Sequence, residues 1–205
     1  MNAHIIIDHP WRESFNYAIL SAFSEGLDQA GHTIDLLDLN QEAFNPVFSA
    51  AELALYGEGD SLDPKVNEYQ QRLLAADFLV MIFPIYWYVM PARLKGWLDK
   101  VLLPGFAFTE AQDPEPLLTH FKGALVLTTS AVTNEVLENT YHKALEWVLC
   151  KGALAFCGIT PAIWHNFGEV GVTTREAHED WLEFVRQCGS DLMGMGLRAG
   201  QSQDA

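Results

Sequence analysis

Basic residues are scarce in this chain. Twelve lysines and arginines stand against 27 aspartates and glutamates, a formal net charge of -15. Neutralising nucleic-acid phosphates needs clustered Lys and Arg, so no nucleic-acid partner is expected. Cysteine is also sparse: Cys150, Cys157 and Cys188 show no Cys-x-x-Cys spacing, and an odd number leaves one thiol unpaired in any intramolecular disulfide scheme. Buried free thiols in a reducing compartment follow. The longest uncharged apolar stretch, Phe78 to Ala92, is interrupted by Pro84 and Pro91 and falls short of the roughly 20 residues a membrane span requires. The chain enters Ile5-Ile6-Ile7 without a basic region or a small-residue cleavage site, so no secretory signal is expected and a cytoplasmic location is. His4, His9, His32, His120, His142, His165 and His178 are scattered without paired spacing, and no metal site is expected. Gly-x-Gly-x-x-Gly and Walker sequences are both missing, which argues against a classical dinucleotide fold and a nucleotide triphosphatase.

What is present is an α/β pattern. With 205 residues and 49% hydrophobic composition, the chain suits a single domain over residues 1-195, followed by a polar tail over 196-205. Ala3 to Ile7 reads as a strand. Ser14 to Ala30 places Phe15, Ala18, Ile19, Ala22, Phe23 and Leu27 at helical spacing, Gly31 closes that helix, and Thr33 to Leu39 resumes an extended pattern. Residues 40-63 form a long excursion with a short helix around Ala50 to Leu55, and loops of that length are usually functional. Pro64 to Ala76 is helical and leads into Phe78 to Phe83, a continuous apolar run suited to a strand covered on both faces. Pro91 opens the next helix, which displays Leu94, Trp97, Leu98 and Val101. Gly123 to Thr129 is a fourth strand, and one helix is expected from about Leu137 to Phe156 through Tyr141, Leu145, Val148 and Leu149. Thr160 to Phe167 is a fifth strand, and Thr173 with Glu176 predicts a capping box opening the last helix. Five strands alternating with helices predict a three-layer fold, a parallel sheet with helices on both faces.

Ligands of open parallel sheets bind beyond the carboxyl ends of the strands. The loops there read His9-Pro-Trp-Arg-Glu-Ser-Phe-Asn16, then Pro84-Ile-Tyr-Trp-Tyr88, then Thr128-Thr-Ser-Ala-Val-Thr-Asn134. Ser14 and Asn16 stand at a helix start, where free N–H groups and the helix dipole favour a phosphate, and His9 could donate a further bond. An N-cap and nothing more is the competing reading of Ser14. Tyr86, Trp87 and Tyr88 could stack on a planar ring or form a subunit interface.

His9-x4-Ser14-Phe15-Asn16-Tyr17-Ala18, Gln70-x4-Ala75-Ala76-Asp77, and Phe83-Pro84-x-x-Trp87-x3-Pro91-Ala92-x-Leu94-Lys95-Gly96-Trp97 together carry a resemblance, extended by Phe106-Ala-Phe108, Thr128-Thr129 and Phe156-Cys157-Gly158. Over roughly residues 3-160 the chain resembles the flavodoxin-like NAD(P)H:quinone oxidoreductases, a group that includes flavoprotein ancillary subunits of potassium efflux systems. The resemblance implies a flavodoxin-like fold, a homodimer with its site at the interface, NAD(P)H as co-substrate, and a quinone or related aromatic acceptor reduced by a ping-pong path. It implies His9, Ser14, Phe15 and Asn16 at the flavin phosphate, Pro84, Ile85, Tyr86, Trp87 and Tyr88 at the isoalloxazine ring, and Thr128, Thr129 and Ser130 nearby. Gln70 matches a position on the adenylate side of FAD and favours FAD over FMN. Trp87, Tyr88 and His142 are the candidate catalytic residues, although Tyr141-His142 fall inside the helical pattern. Alternatives are a flavin-bearing regulatory subunit of a membrane transporter and a flavodoxin-like electron carrier.

Overall fold

The computed structural model describes residues 1-59 and 61-194; the polar tail over 196-205 lies outside them. Strands β1 (Asn2–Ile7), β2 (Thr33–Asp38), β3 (Phe78–Pro84), β4 (Ala124–Thr129) and β5 (Ala162–Phe167) form one sheet in the order β2-β1-β3-β4-β5, every neighbouring pair parallel. Helices α1 (Phe15–Gln29), α2 (Ala50–Ala54), α3 (Pro64–Leu74), α4 (Ala92–Val101), α5 (Asn134–Asn139) and α6 (Arg175–Ser190) connect and flank the strands, with a π-helix over Glu146–Leu154.

The two-residue period of the strands divides the core. Ala3, Ile5, Ile7, Val80, Ile82, Leu125 and Leu127 face α1 and α6, while Ile6, Leu79, Met81, Phe83 and Val126 face α3, α4 and the π-helix. All seven residues of β3 are buried, which explains its unbroken apolar run. Helices α1 and α6 approach closely, because a Cβ on Gly26 would stand 2.0 Å from the Arg186 carbonyl oxygen. Among the described residues no helix is long and apolar enough to cross a membrane, and no group of three or more His, Cys, Asp or Glu is placed to hold a metal ion.

Two local expectations need correction. The helix expected over Leu137 to Phe156 is broken: α5 stops at Asn139, and Tyr141 to Lys143 form a turn with left-handed backbone at His142 (φ 49°) and Lys143 (φ 54°). Asn139 and Thr140 are weak helix formers, and Tyr141, whose spacing matched a core face, packs instead against Tyr88. The last helix is capped by Thr174, whose side chain accepts the Ala177 N–H, while Thr173 donates its hydroxyl to the Glu169 carbonyl. The cap therefore lies one residue later than expected, and with Ala177 at N3 it is a single side-chain cap and not a reciprocal box.

Helix α6 reaches the first loop through aromatic contacts. The Phe15 ring stacks on His178 at 4.5 Å and meets Phe167 edge-on at 6.2 Å, and Phe167 in turn packs against Trp181 and His165. Burial among these rings pushes the His165 pKa down from 6.5 to about 4. A depressed histidine contributes stability above its unfolded value that is lost as pH falls through the folded one. Lowering the pH from 6.5 to 4 should therefore cost about 3 kcal/mol at this residue alone, order of magnitude. His165→Phe should flatten that part of a stability-pH curve measured by urea denaturation, and an unchanged slope would show that His165 is not its source.

Candidate active site

The strand order reverses between β1 and β3, since β1 is followed outward by β2 on one side and β3 lies on the other. A crevice opens at the carboxyl ends there. Direct bonds draw its loops together: Asp8 N–H donates to the Ile82 carbonyl at 3.0 Å, Ile85 N–H to the Thr129 carbonyl at 2.8 Å, and Asn16 Nδ2 to Thr129 Oγ1 at 2.9 Å.

Helix α1 begins beside the crevice with an open end. Ser14 occupies the N-cap position with extended backbone, yet makes no side-chain cap bond. Its Oγ is buried without a partner, as is Asn16 Oδ1. Among the described residues, neither the Phe15 nor the Asn16 N–H has an acceptor. A buried hydroxyl without a partner costs free energy, and free amides at a helix start attract an anion. These orphaned groups fit a phosphate ester, with Asn16 Oδ1, an acceptor, suited to a neighbouring hydroxyl. His9 Nδ1 lies 3.1 Å from both the N–H and the carbonyl of Trp11, and burial lowers its pKa from the ordinary histidine value.

The aromatic loop is a two-residue hairpin turn. Tyr86 and Val89 exchange N–H to carbonyl bonds of 3.0 and 3.1 Å across Trp87 (φ 51°) and Tyr88 (φ 66°). Such turns favour Asn-Gly, and left-handed backbone at a bulky residue costs roughly 1-3 kcal/mol. The strain holds the Trp87 side chain 92% exposed. Pro84 has no N–H, and the amides of Ile85 and Tyr86 are already bonded, so the free backbone donors narrow to Trp87 and Tyr88 among the residues expected to hold a ring. Tyr88 stacks on Tyr141 at 3.7 Å between centroids and 26° between planes. The turn that interrupts the expected helix therefore brings Tyr141 against the aromatic loop, with exposed His142 beside it.

The third loop is tied inward. Thr128 Oγ1 donates to Asn166 Oδ1 and receives Trp164 Nε1, while Asn166 Nδ2 donates to Ser130 Oγ and Asn134 Oδ1. Thr128, Thr129 and Ser130 are buried, their side chains engaged by the protein itself. Gln70 lies elsewhere: it is buried on α3 and donates through Nε2 to the carbonyl of Val101, the last residue of α4. Helix α4 starts at the ligand edge after β3 and runs away from it, so Gln70 stands toward the opposite edge of its own chain. Two functional candidates escaped the sequence reading. Asp8, buried immediately after β1, and Asn166, buried in β5, each adjoin an apolar stretch, and a polar residue in that place was the available signal.

The sequence pattern of the family described as a flavodoxin-like fold matches residues 1-187. NAD(P)H dehydrogenase (quinone) 1 of Rattus norvegicus is 31% identical, covering 97% of this chain and 84% of its own. Ribosyldihydronicotinamide dehydrogenase (quinone) of Homo sapiens is 30% identical over 75% of each chain. The solved structure of an NAD(P)H:quinone oxidoreductase from Methanothermobacter marburgensis superposes with a TM-score of 0.86 at 30% identity, covering 94% of this chain and 98% of that one. By the match over residues 1-187 and these likenesses, the chain belongs to the flavodoxin-like NAD(P)H:quinone oxidoreductase family.

Proposed function

We propose that this protein is a flavin-dependent NAD(P)H:quinone oxidoreductase. The observation that carries the proposal is the unpartnered, buried Ser14 hydroxyl at an uncapped helix start, on the same sheet edge as a strained turn that exposes Trp87. A bound flavin supplies two-electron hydride chemistry between a nicotinamide and a quinone. Ser14 and the Phe15 and Asn16 amides hold the phosphate, and the Trp87 and Tyr88 amides orient the ring. Tyr86 and Trp87 give the planar substrates a stacking surface and exclude water from it. The Tyr88–Tyr141 stack fixes the far wall, and His142 is proposed to supply a proton from its imidazole to the acceptor. Metal assistance has no part in this proposal.

FAD is the proposed form on the family resemblance alone, since the Gln70 amide is engaged by the Val101 carbonyl away from the ligand loops; mass spectrometry of the released flavin distinguishes it from FMN. A homodimer is proposed as well, because Trp147, Val148 and Phe156 are exposed beside an apolar groove of about 260 Å³ lined by Phe48, Leu98, Phe108 and Leu149. Light scattering at twice the 22.9 kDa chain mass would support it. The buried free thiols of Cys150 and Cys157 suit the proposed cytoplasmic location.

Steady-state kinetics test the function. Purified protein should carry one flavin per chain and give parallel double-reciprocal lines when NAD(P)H and a soluble quinone are varied, since one stacking surface serves both in turn. Intersecting lines would reject the shared surface. Fully flavinated protein with negligible turnover on any acceptor would point to the regulatory alternative.

A further inference from the structure

Helix α4 begins where the aromatic loop ends, and it has no cap of its own: Pro91 occupies the N-cap position and makes no side-chain bond. The missing acceptor comes from Asp8, the residue after β1. Asp8 Oδ2 receives the Leu94 N–H at 2.9 Å, and Asp8 Oδ1 receives Asn40 Nδ2 at 2.8 Å. The Asn40 N–H donates to Asp38 Oδ1 at 3.1 Å, and Asp38 Oδ2 accepts the Tyr17 hydroxyl at 2.7 Å and lies 3.8 Å from Arg12. One chain of polar contacts therefore runs from the start of α4, through Asp8, to the first loop and the first turn of α1.

We infer that Asp8 is a positioning residue that holds the phosphate loop and the aromatic loop at the separation a bound flavin requires. The inference rests on the flavin reading above and extends it to a residue outside the loops themselves. Asp8 is 3% exposed, immediately precedes His9, and bonds through its own N–H to Ile82, two residues before Pro84. Arg93 of α4 also reaches the Leu39 carbonyl, at 2.9 Å, but Asp8 joins α4 and the end of β2 from the position that leads into the phosphate loop. A carboxylate at the start of α4 also meets the positive end of that helix. Burial raises the Asp8 pKa, while the bonds from Asn40 and Leu94 and the nearby Arg93 and His9 oppose that shift.

The chemistry provides a conservative variant. In Asp8→Asn, the new side-chain carbonyl accepts the Leu94 N–H and the new NH₂ group faces Asn40, which needs only to rotate its own amide to accept; both bonds survive. In Asp8→Ala both are lost, and the Leu94 N–H and Asn40 amide are left behind.

The test titrates flavin into apo protein by fluorescence quenching and follows apo melting in parallel. Asp8→Ala should raise the flavin Kd tenfold or more, and Asp8→Asn should stay within about threefold of wild type. Leu73→Ala, in the core of α3, serves as a control that lowers the apo Tm without moving Kd. Equal affinities of Asp8→Ala and wild type would overturn the inference and leave the proposed function standing. An increase in Kd with Leu73→Ala as large as with Asp8→Ala would also overturn it, because stability alone would then account for the loss. Wild-type protein that binds no flavin would overturn the function itself, and the inference with it.

Discussion

Replacing Ser14 and Asn16 together with alanine is expected to weaken flavin binding by roughly 30- to 1,500-fold while the apo protein still folds. The Ser14 hydroxyl donates to a phosphate in the proposed complex, a charge-assisted bond worth about 1.5-3 kcal/mol. Asn16 Oδ1 is an acceptor, so it cannot serve a dianionic phosphate; it suits a flavin hydroxyl, worth about 0.5-1.5 kcal/mol. Together these give roughly 2-4.5 kcal/mol, and 1.4 kcal/mol is tenfold in Kd. Apo stability behaves differently. Ser14 makes no cap bond, and its Oγ is buried without a partner, so Ser14→Ala alone removes a burden and should leave the apo Tm unchanged or raised. Asn16→Ala breaks the 2.9 Å bond to Thr129 and leaves that buried hydroxyl unsatisfied, at about 1-3 kcal/mol. Calorimetric titration of apo protein with FAD and with FMN, beside apo thermal melts, checks both halves. A double variant that binds flavin within threefold of wild type would place the phosphate elsewhere.

The opposing signs at Ser14 express a general trade. A site prepared for an anion carries unsatisfied donors until the anion arrives, and the empty fold bears that cost. The same logic applies to the aromatic loop. Trp87 and Tyr88 adopt left-handed backbone that glycine or asparagine would hold more comfortably, and the turn leaves their amides free and the indole exposed. Asp8 supplies the complementary element, a buried carboxylate that bonds the start of α4 and the end of β2 to the residue before the first loop.

The sheet and most of the helices were legible because their signals are periodic and long. Phe78 to Phe83 could be read as a central strand from its lack of alternation, and the helix after Ser14 from its 3.6-residue spacing; both elements lie within one residue of their expected bounds. The break at Tyr141 was not legible. Leu137, Tyr141 and Leu145 share a four-residue spacing that fits one helix face, and only the tertiary contact of Tyr141 with Tyr88 shows that the spacing serves two surfaces. Gln70 shows a different limit: its residue type suggested a solvated position or a ligand contact, whereas the fold buries its amide against the Val101 carbonyl. The network through Asn166 and the strut at Asp8 depend on partners distant in sequence, 36 residues away in Ser130 and 86 away in Leu94. Polar residues adjoining apolar stretches mark such sites, but the chain alone does not name their partners.

Replacing Trp87 with glycine is expected to lower kcat/KM for both NAD(P)H and quinone by roughly 5- to 150-fold while changing thermal stability little. The side chain is 92% exposed and packs against no core residue, so its removal opens no cavity. Glycine relieves the left-handed backbone at φ 51°, a gain of roughly 1-2 kcal/mol, and gives back about 0.5-1 kcal/mol through the greater freedom of the unfolded chain. The balance is a small gain of about 0.5-1 kcal/mol. Kinetically, the lost indole removes a stacking platform worth about 1-3 kcal/mol for a planar heterocycle, which converts to the stated range. Because one surface is proposed to receive the nicotinamide and then the quinone, both half-reactions should slow. Stopped-flow absorbance separates them, following reduction by NAD(P)H first and reoxidation by a soluble quinone second. Flavin affinity should fall less than in the Ser14 and Asn16 double variant, since the Trp87 backbone donor remains. Slowing of only one half-reaction would assign the two substrates to different surfaces and remove the basis for ping-pong exchange at this turn.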